Sequence, residues 1–209
     1  MGRFIAAALV LLTSFARPAV AEDVAGEFDY WVLALSWQPS WCAREGEGSD
    51  QCERPAGWTL HGLWPQYDRG WPSNCRTPHM APTRSMTADM TDIMGSSGLA
   101  WHQWRKHGTC SGLTAGDYFA LSRIAYEQVE RPALLRQLKT AVTLPASVIE
   151  GAFLEENPTL SADGLTITCK SGRIAEARIC LSRKMEPIQC GPDVRRDCDL
   201  TDALFEPIQ

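Results

Sequence analysis

Residues 58–66 read WTLHGLWPQ. The run is rich in aromatic and aliphatic side chains, which suits a buried strand over 58–64. Pro65, with no N–H to give a ladder, is expected to end it. His61 is the residue there that can move a proton. Taken alone, it reads as a hydrogen-bonded core histidine as readily as a functional one. A second segment changes the odds. Residues 102–110 read HQWRKHGTC and hold two more of the four histidines in the chain.

Residues 98–107 are expected to form a helix, with Gly108 just past its end, where a left-handed glycine commonly stops a helix. On a helical wheel with His102 at the origin, Lys106 falls at about 40°, Gln103 at about 100° and His107 at about 140°. Trp104 and Trp101 fall at about 200° and 260°. The polar residues thus share one face and the two indoles the other, as expected of a helix that carries a site while packing on a core.

Outward from these segments, Tyr30–Trp37 (YWVLALSW) reads as a buried strand, followed by Pro39. Residues 75–87 contain prolines and read as a loop. Thr114 and Asp117 resemble a capping box that opens a helix running to about Glu130, with Pro132 after it. Residues 133–140 and 147–156 read as further helices. Residues 165–170 and 173–182 read as strands joined by a tight turn at Ser171-Gly172. No composition shift, repeat or linker divides the chain. The expectation is one α+β domain, a mostly antiparallel sheet with helices packed on it.

Residues 1–21 are set apart from that domain. A short basic start, a mostly apolar run over 4–15 and the small residues Ala19-Val20-Ala21 read as a secretory leader, cut after Ala21. The apolar run is too short to span a bilayer, so no stable membrane association is expected. Eight cysteines follow the cut, and in an exported chain an even number reads as disulfides. On the order of a hundred pairings are open to eight cysteines, and spacing does not choose among them. The formal net charge is −5, and loss of Arg3 and Arg17 with the leader takes it to about −7. That argues against a general nucleic-acid binder, but not against an enzyme with a local positive site and fast release. A periplasmic or secreted monomer is expected, with no cofactor and no protein partner.

Histidine titrates near neutrality and serves as acid or base there. Two imidazoles and a lysine suit cleavage of RNA by its own 2′-OH. One imidazole takes the 2′-OH proton, the other protonates the departing 5′-oxygen, and the lysine stabilises charge on phosphorus. The nucleophile lies within the substrate, so no metal is required.

At these two segments the chain resembles the ribonuclease T2 family, which carries HGLWP and HEWxKHGTC motifs. Residues 58–66 match the first, and residues 102–110 match the second except at one position. Residues 28–42 (FDYWVLALSWQPSWC) are also similar to the first strand of that family. The likeness extends over about residues 28–198. It implies that His61 is the general acid, His107 the general base, His102 a phosphate ligand and Lys106 the group that stabilises the phosphorane. The products would be a 2′,3′-cyclic phosphate, then a 3′-phosphate. It also implies that Trp64, Gln66 and, by an approximate match, Trp71 hold a base by stacking and edge contact, with low sequence specificity and single-stranded RNA as the substrate. The disulfides it implies are Cys42–Cys52, Cys75–Cys110, Cys169–Cys198 and Cys180–Cys190.

The departure is Gln103, where the family motif has Glu. Gln keeps an acceptor but loses the charge. A non-catalytic RNA-binding relative, weakened at this position, is the alternative reading. A zinc hydrolase built on His61, His102, His107 and Cys110 is a poorer one, because His102 and His107 lack the i,i+4 spacing of a helical metal pair. His79 and the tryptophans at 31, 37, 41, 58, 101 and 104 are expected to be structural.

Overall fold

In the computed structural model, residues 23–46 and 48–208 are described; the leader expected over 1–21 lies outside them. In chain order the elements are β1 (Tyr30–Trp37), α1 (Gln38–Glu45), β2 (Trp58–Gln66), α2 (Arg84–Ala88), α3 (Thr91–Met94), α4 (Ser97–Lys106), α5 (Ala115–Gln128), β3 (Val142–Leu144), α6 (Ala146–Glu156), β4 (Leu165–Lys170), β5 (Arg173–Leu181) and β6 (Ala203–Phe205). The architecture is a single α+β domain around one sheet of order β2-β1-β5-β6-β3, with β4 paired to β5. The pairs are antiparallel except for the short parallel contact of β5 with β6.

β1 is apolar except at Ser36 because it is covered on both faces over most of its length. Its odd-numbered side chains, Trp31, Leu33, Leu35 and Trp37, join the main core beneath the helices. Tyr30 and Val32 point the other way, toward Cys180, Cys190 and Val194. Long polar side chains gather over that second face. On it, Ala34 lies between Gly62 of β2 and Arg178 of β5, and Ser36 pairs with Glu176. A small residue at 34 lets long polar side chains from both neighbours converge over it.

β2 is an edge strand, and this corrects the expectation for Pro65. The strand runs on to Gln66, with Pro65 opposite Trp31, because an edge strand has one side that needs no N–H. The register slips at one point. Ala34 faces Gly62 and Leu35 faces Leu60, which leaves His61 without a partner, as a bulge. The extra residue keeps both Leu60 and Leu63 in the core while His61 turns to the opposite face. Bulges beside functional sites commonly re-aim one side chain in this way.

The β4–β5 hairpin forms at Ser171-Gly172, with φ of 52° and 75°, the pair of left-handed residues that a two-residue hairpin requires. α5 starts where expected, the Thr114 side chain accepting from the Asp117 N–H. Other expectations need correction. Residues 133–140 form only a 3-10 turn over Leu134–Gln137; Leu135 is buried and Leu134 exposed, so no apolar stripe exists to hold a longer helix. Pro39 opens α1 at its first turn instead of merely following a strand. α2 lies partly inside the expected loop, capped by Thr83. Gly108 is not left-handed. It begins a 3-10 turn, and a Cβ there would collide with the Trp104 ring and press on Tyr118. Trp104 packs into the core as expected, but Trp101 is exposed.

All four disulfides pair as the resemblance implies. Cys75–Cys110 closes a separation of 35 residues and ties the segment after β2 to the end of α4. Such a closure is worth roughly 3–4 kcal/mol on the chain-entropy account. No helix among the described residues is long and apolar enough to cross a membrane.

Candidate active site

α4 is fixed at both ends. The Ser96 side chain caps its N-terminus by accepting from the Leu99 N–H at 3.1 Å, and His107 is the residue that ends it. The helix lies against the edge strand β2. As a result His61, Trp64 and Gln66 from β2, with Trp71 from the following loop, meet His102, Gln103, Lys106 and His107 from α4 around one cavity of about 310 Å³. All eight residues singled out in the sequence are therefore brought together. His79 is not among them; its Nε2 lies 3.2 Å from the Gly112 carbonyl oxygen.

Trp64 joins the two sides. Its indole N–H donates to Gln103 Oε1 at 2.7 Å. Its ring stacks on His107 (centroids 5.2 Å apart, planes at 24°) and meets His61 edge-on at 5.2 Å. Gly62 makes this possible, since a Cβ there would collide with both Gln103 Oε1 and Trp64 Nε1. Gln103 is 2 % exposed, buried beneath the indole instead of lying on an open flank of the helix. Trp71, 55 % exposed, keeps an open ring at the cavity rim.

The two central histidines sit in opposite surroundings. His61 Nδ1 is 2.5 Å from Glu176 Oε1. The other oxygen, Oε2, accepts from Arg178 Nη2 at 2.6 Å and Nε at 3.0 Å. Burial alone would raise the Glu176 pKa, but the His61 contact and the Arg178 guanidinium outweigh it and hold the carboxyl at about 2. With Nδ1 spoken for, Nε2 is the nitrogen His61 has left for the cavity.

His107 has no such partner. It is 5 % exposed, and its Nδ1 is enclosed with no hydrogen bond among the described residues. Burial, and then the positive charges of Lys106, His61 and His102, push its pKa down to about 3. His102, exposed at the mouth, is also lowered, by partial burial and then by Lys106, Arg105 and His61. Cys110, a ligand in the zinc reading, is bonded to Cys75 and so unavailable to a metal.

The sequence pattern of the Ribonuclease T2 family matches residues 28–190. The chain belongs to the ribonuclease T2 family. It is 42 % identical over 127 residues to a "Ribonuclease" of Aeromonas hydrophila, covering 61 % of this chain and 58 % of that one. Among solved structures it is similar to an RNase-related protein from Calystegia sepium (TM-score 0.67, 20 % identity, 87 % and 98 % of the two chains). It is also similar to RNase NT in complex with 5′-AMP (TM-score 0.64, 22 % identity, 87 % and 100 %). These structural likenesses speak to the fold. The chain spans about half the length of the curated relatives it matches.

Within this ribonuclease T2 chain, the residues that motif reading missed are Glu176 and Arg178. Both lie in RIAEARICL, read only as a strand. The signal was present: two charges at i and i+2 in an apolar strand fall on one face, and a buried face does not carry two charges without partners.

Proposed function

We propose that this chain is an endoribonuclease that cleaves single-stranded RNA with low base specificity, through attack of the 2′-OH on the adjacent phosphorus. The observation that carries the reading is the pairing of one carboxylate-bound and one partnerless histidine across a single cavity. His107, held neutral by its burial, is suited to accept the 2′-OH proton. The 2′-oxygen–phosphorus bond forms and the phosphorus–5′-oxygen bond breaks. His61 delivers its proton to the departing 5′-oxygen, with Glu176 balancing the imidazolium and fixing its tautomer. Lys106 stabilises the extra charge on the phosphorane and His102 binds a phosphate oxygen. In the second step the roles reverse: His61 removes a proton from water, and His107 returns one to the 2′-oxygen. The cyclic phosphate opens to a 3′-phosphate. No step calls for a metal.

Trp71 and Gln66 line the cavity, and in this reading Trp71 receives a base by stacking and Gln66 meets its edge. That RNase NT, a protein of similar fold, is described in complex with 5′-AMP supports a nucleotide as the kind of ligand this chain takes. Both imidazoles and Lys106 line the cavity, which favours catalysis over a binding-only relative despite Gln103. We further propose a leader over residues 1–21 and one catalytic domain over 22–209, exported to periplasm or medium as a monomer. Four disulfides suit that compartment. The test is incubation of the purified domain with single-stranded RNA under chelating conditions. Fragments ending in 2′,3′-cyclic phosphate are expected, with DNA and fully 2′-O-methylated RNA left intact. Cleavage of either, or loss of activity on chelation, contradicts the mechanism.

A further inference from the structure

Among the described residues, Arg178 is the arginine that lines the cavity, and nothing in the mechanism above uses it directly. It has a fixed orientation. Nε and Nη2 both donate to Glu176 Oε2, and the guanidinium carbon stands 5.4 Å over the Trp64 ring. Nη1 has no hydrogen-bond partner among the described residues, and the side chain is 32 % exposed. A second cavity, of about 640 Å³, lies on the other side of His61. His61, Glu176 and Arg178 are the residues that line both. A chain passing from one cavity to the other therefore crosses His61 and Arg178 together.

One carboxylate sets their spacing. Glu176 Oε1 holds the imidazole and Oε2 holds the guanidinium. One carboxylate thus ties the imidazole and the guanidinium together, and both side chains line the cavity where the phosphate would lie. Guanidinium is also the side-chain cation best shaped to bind a phosphate edge. The other charged groups on the same cavity are Lys106 and His102 across from it, and Asp193, whose carboxylate is held by the Gly70 N–H at 2.5 Å.

We propose that Arg178 is a further catalytic residue, whose free Nη1 edge binds a non-bridging oxygen of the scissile phosphate while His61, on the same carboxylate, protonates the 5′-oxygen of that phosphate. The proposal rests on the ribonuclease reading. It makes the phosphate bound from two sides, by Lys106 and His102 on α4 and by Arg178 on β5. Gln103, buried under Trp64, adds no opposing charge. Glu176 is then a positioning residue for both donors.

The experiment separates contact with phosphate from orientation of Glu176. Arg178→Gln and Glu176→Gln are assayed on a dinucleoside monophosphate and on a nucleoside 3′-(p-nitrophenyl phosphate). The p-nitrophenolate leaves without a proton, so the second ester does not need His61 as an acid. Arg178→Gln is expected to lower kcat/KM about a hundredfold on both esters, the scale for losing one charge-stabilising donor. Glu176→Gln, whose amide oxygen can still accept from Arg178 while its NH2 group cannot accept from His61 Nδ1, is expected to lose most on the dinucleotide and little on the activated ester. If Arg178→Gln loses activity on the dinucleotide alone, Arg178 acts only through Glu176 and the proposal is wrong. Full activity on both esters overturns it as well. Should Arg178→Gln fail to fold by circular dichroism, Arg178→Lys, which keeps the charge but not the fork, serves instead: a smaller loss on both esters supports contact, and no loss on the activated ester refutes it. A wild-type protein that cleaves neither ester would refute the ribonuclease reading itself. Wild-type cleavage with an unaffected Arg178→Gln leaves that reading standing and removes only this one.

Discussion

His61 and His107 face the same cavity from different kinds of structure, and each kind supplies what the other lacks. His61 stands on a bulge in an edge strand, and the sheet reaches across β1 to give it a carboxylate. His107 ends a helix, is packed against the Trp64 ring, and finds only positive charges nearby. One imidazolium is balanced and the other is not. On the mechanism proposed above, two identical side chains take opposite tasks from their surroundings, the pattern by which acid and base are told apart in an active site.

The strongest way to break the comparison is to remove either imidazole. His61→Phe and His107→Phe should each lower turnover on a dinucleotide by about a hundredfold or more, with the circular dichroism spectrum unchanged. The two should differ on an ester with a good leaving group. There the His61 variant recovers and the His107 variant does not. Equal recovery would mean the roles are not divided as described.

A smaller perturbation removes only the balancing charge. Glu176→Gln should lower kcat/KM on the dinucleotide about tenfold or more, less than loss of the imidazole itself. It should also change acid stability. The folded Glu176 pKa of about 2 lies below its ordinary 4.5, so its contribution is present above pH 4.5 and is lost as pH falls toward 2. His107 acts in the same direction. The unfolded chain takes up a proton below 6.5 that the folded site resists down to about 3, so acidification through that window also favours unfolding. Thermal melts of the wild type should fall in Tm from about pH 6.5 downward, and Glu176→Gln should flatten the part below 4.5. Parallel curves for the two proteins would show that Glu176 carries no such stability.

How much of this was legible in the sequence follows from the range of the contacts. β1, α5, α6 and the β4–β5 hairpin were readable because their signals are local: an apolar run broken only at Ser36, a Thr114 cap, a Ser171-Gly172 turn. The same local reasoning failed at 133–140, where Leu135 is buried but Leu134 is exposed and no stripe of helical period faces the core. The residues that motif resemblance singled out on β2 and α4 line one cavity. The resemblance did not show why His61 turns out of the core, because the bulge is defined only against β1. Nor did it find Glu176, which meets His61 across 115 residues through a strand pairing that no short pattern records.

The smallest expected effect concerns Gln103, which touches the helix side of the comparison. Gln103 Oε1 is held by the Trp64 indole, next to the ring that stacks on His107. A carboxylate in its place would favour the charged form of His107 and raise its pKa. Gln103→Glu should therefore move the acidic limb of the kcat/KM profile to higher pH, by less than about one unit. Gln103→Ala should cost activity modestly by freeing the indole. Coincident profiles for all three proteins would mean that residue 103 has no catalytic part.

The division of labour between the histidines is tested most directly by following their ring protons through a pH titration by nuclear magnetic resonance. His107, identified by its loss in the His107→Phe variant, is predicted to stay neutral well below the ordinary 6.5 and to take up its proton only near pH 3. A His107 that titrates at the ordinary value would contradict the account, because a buried, partnerless base would then not be what distinguishes it from His61.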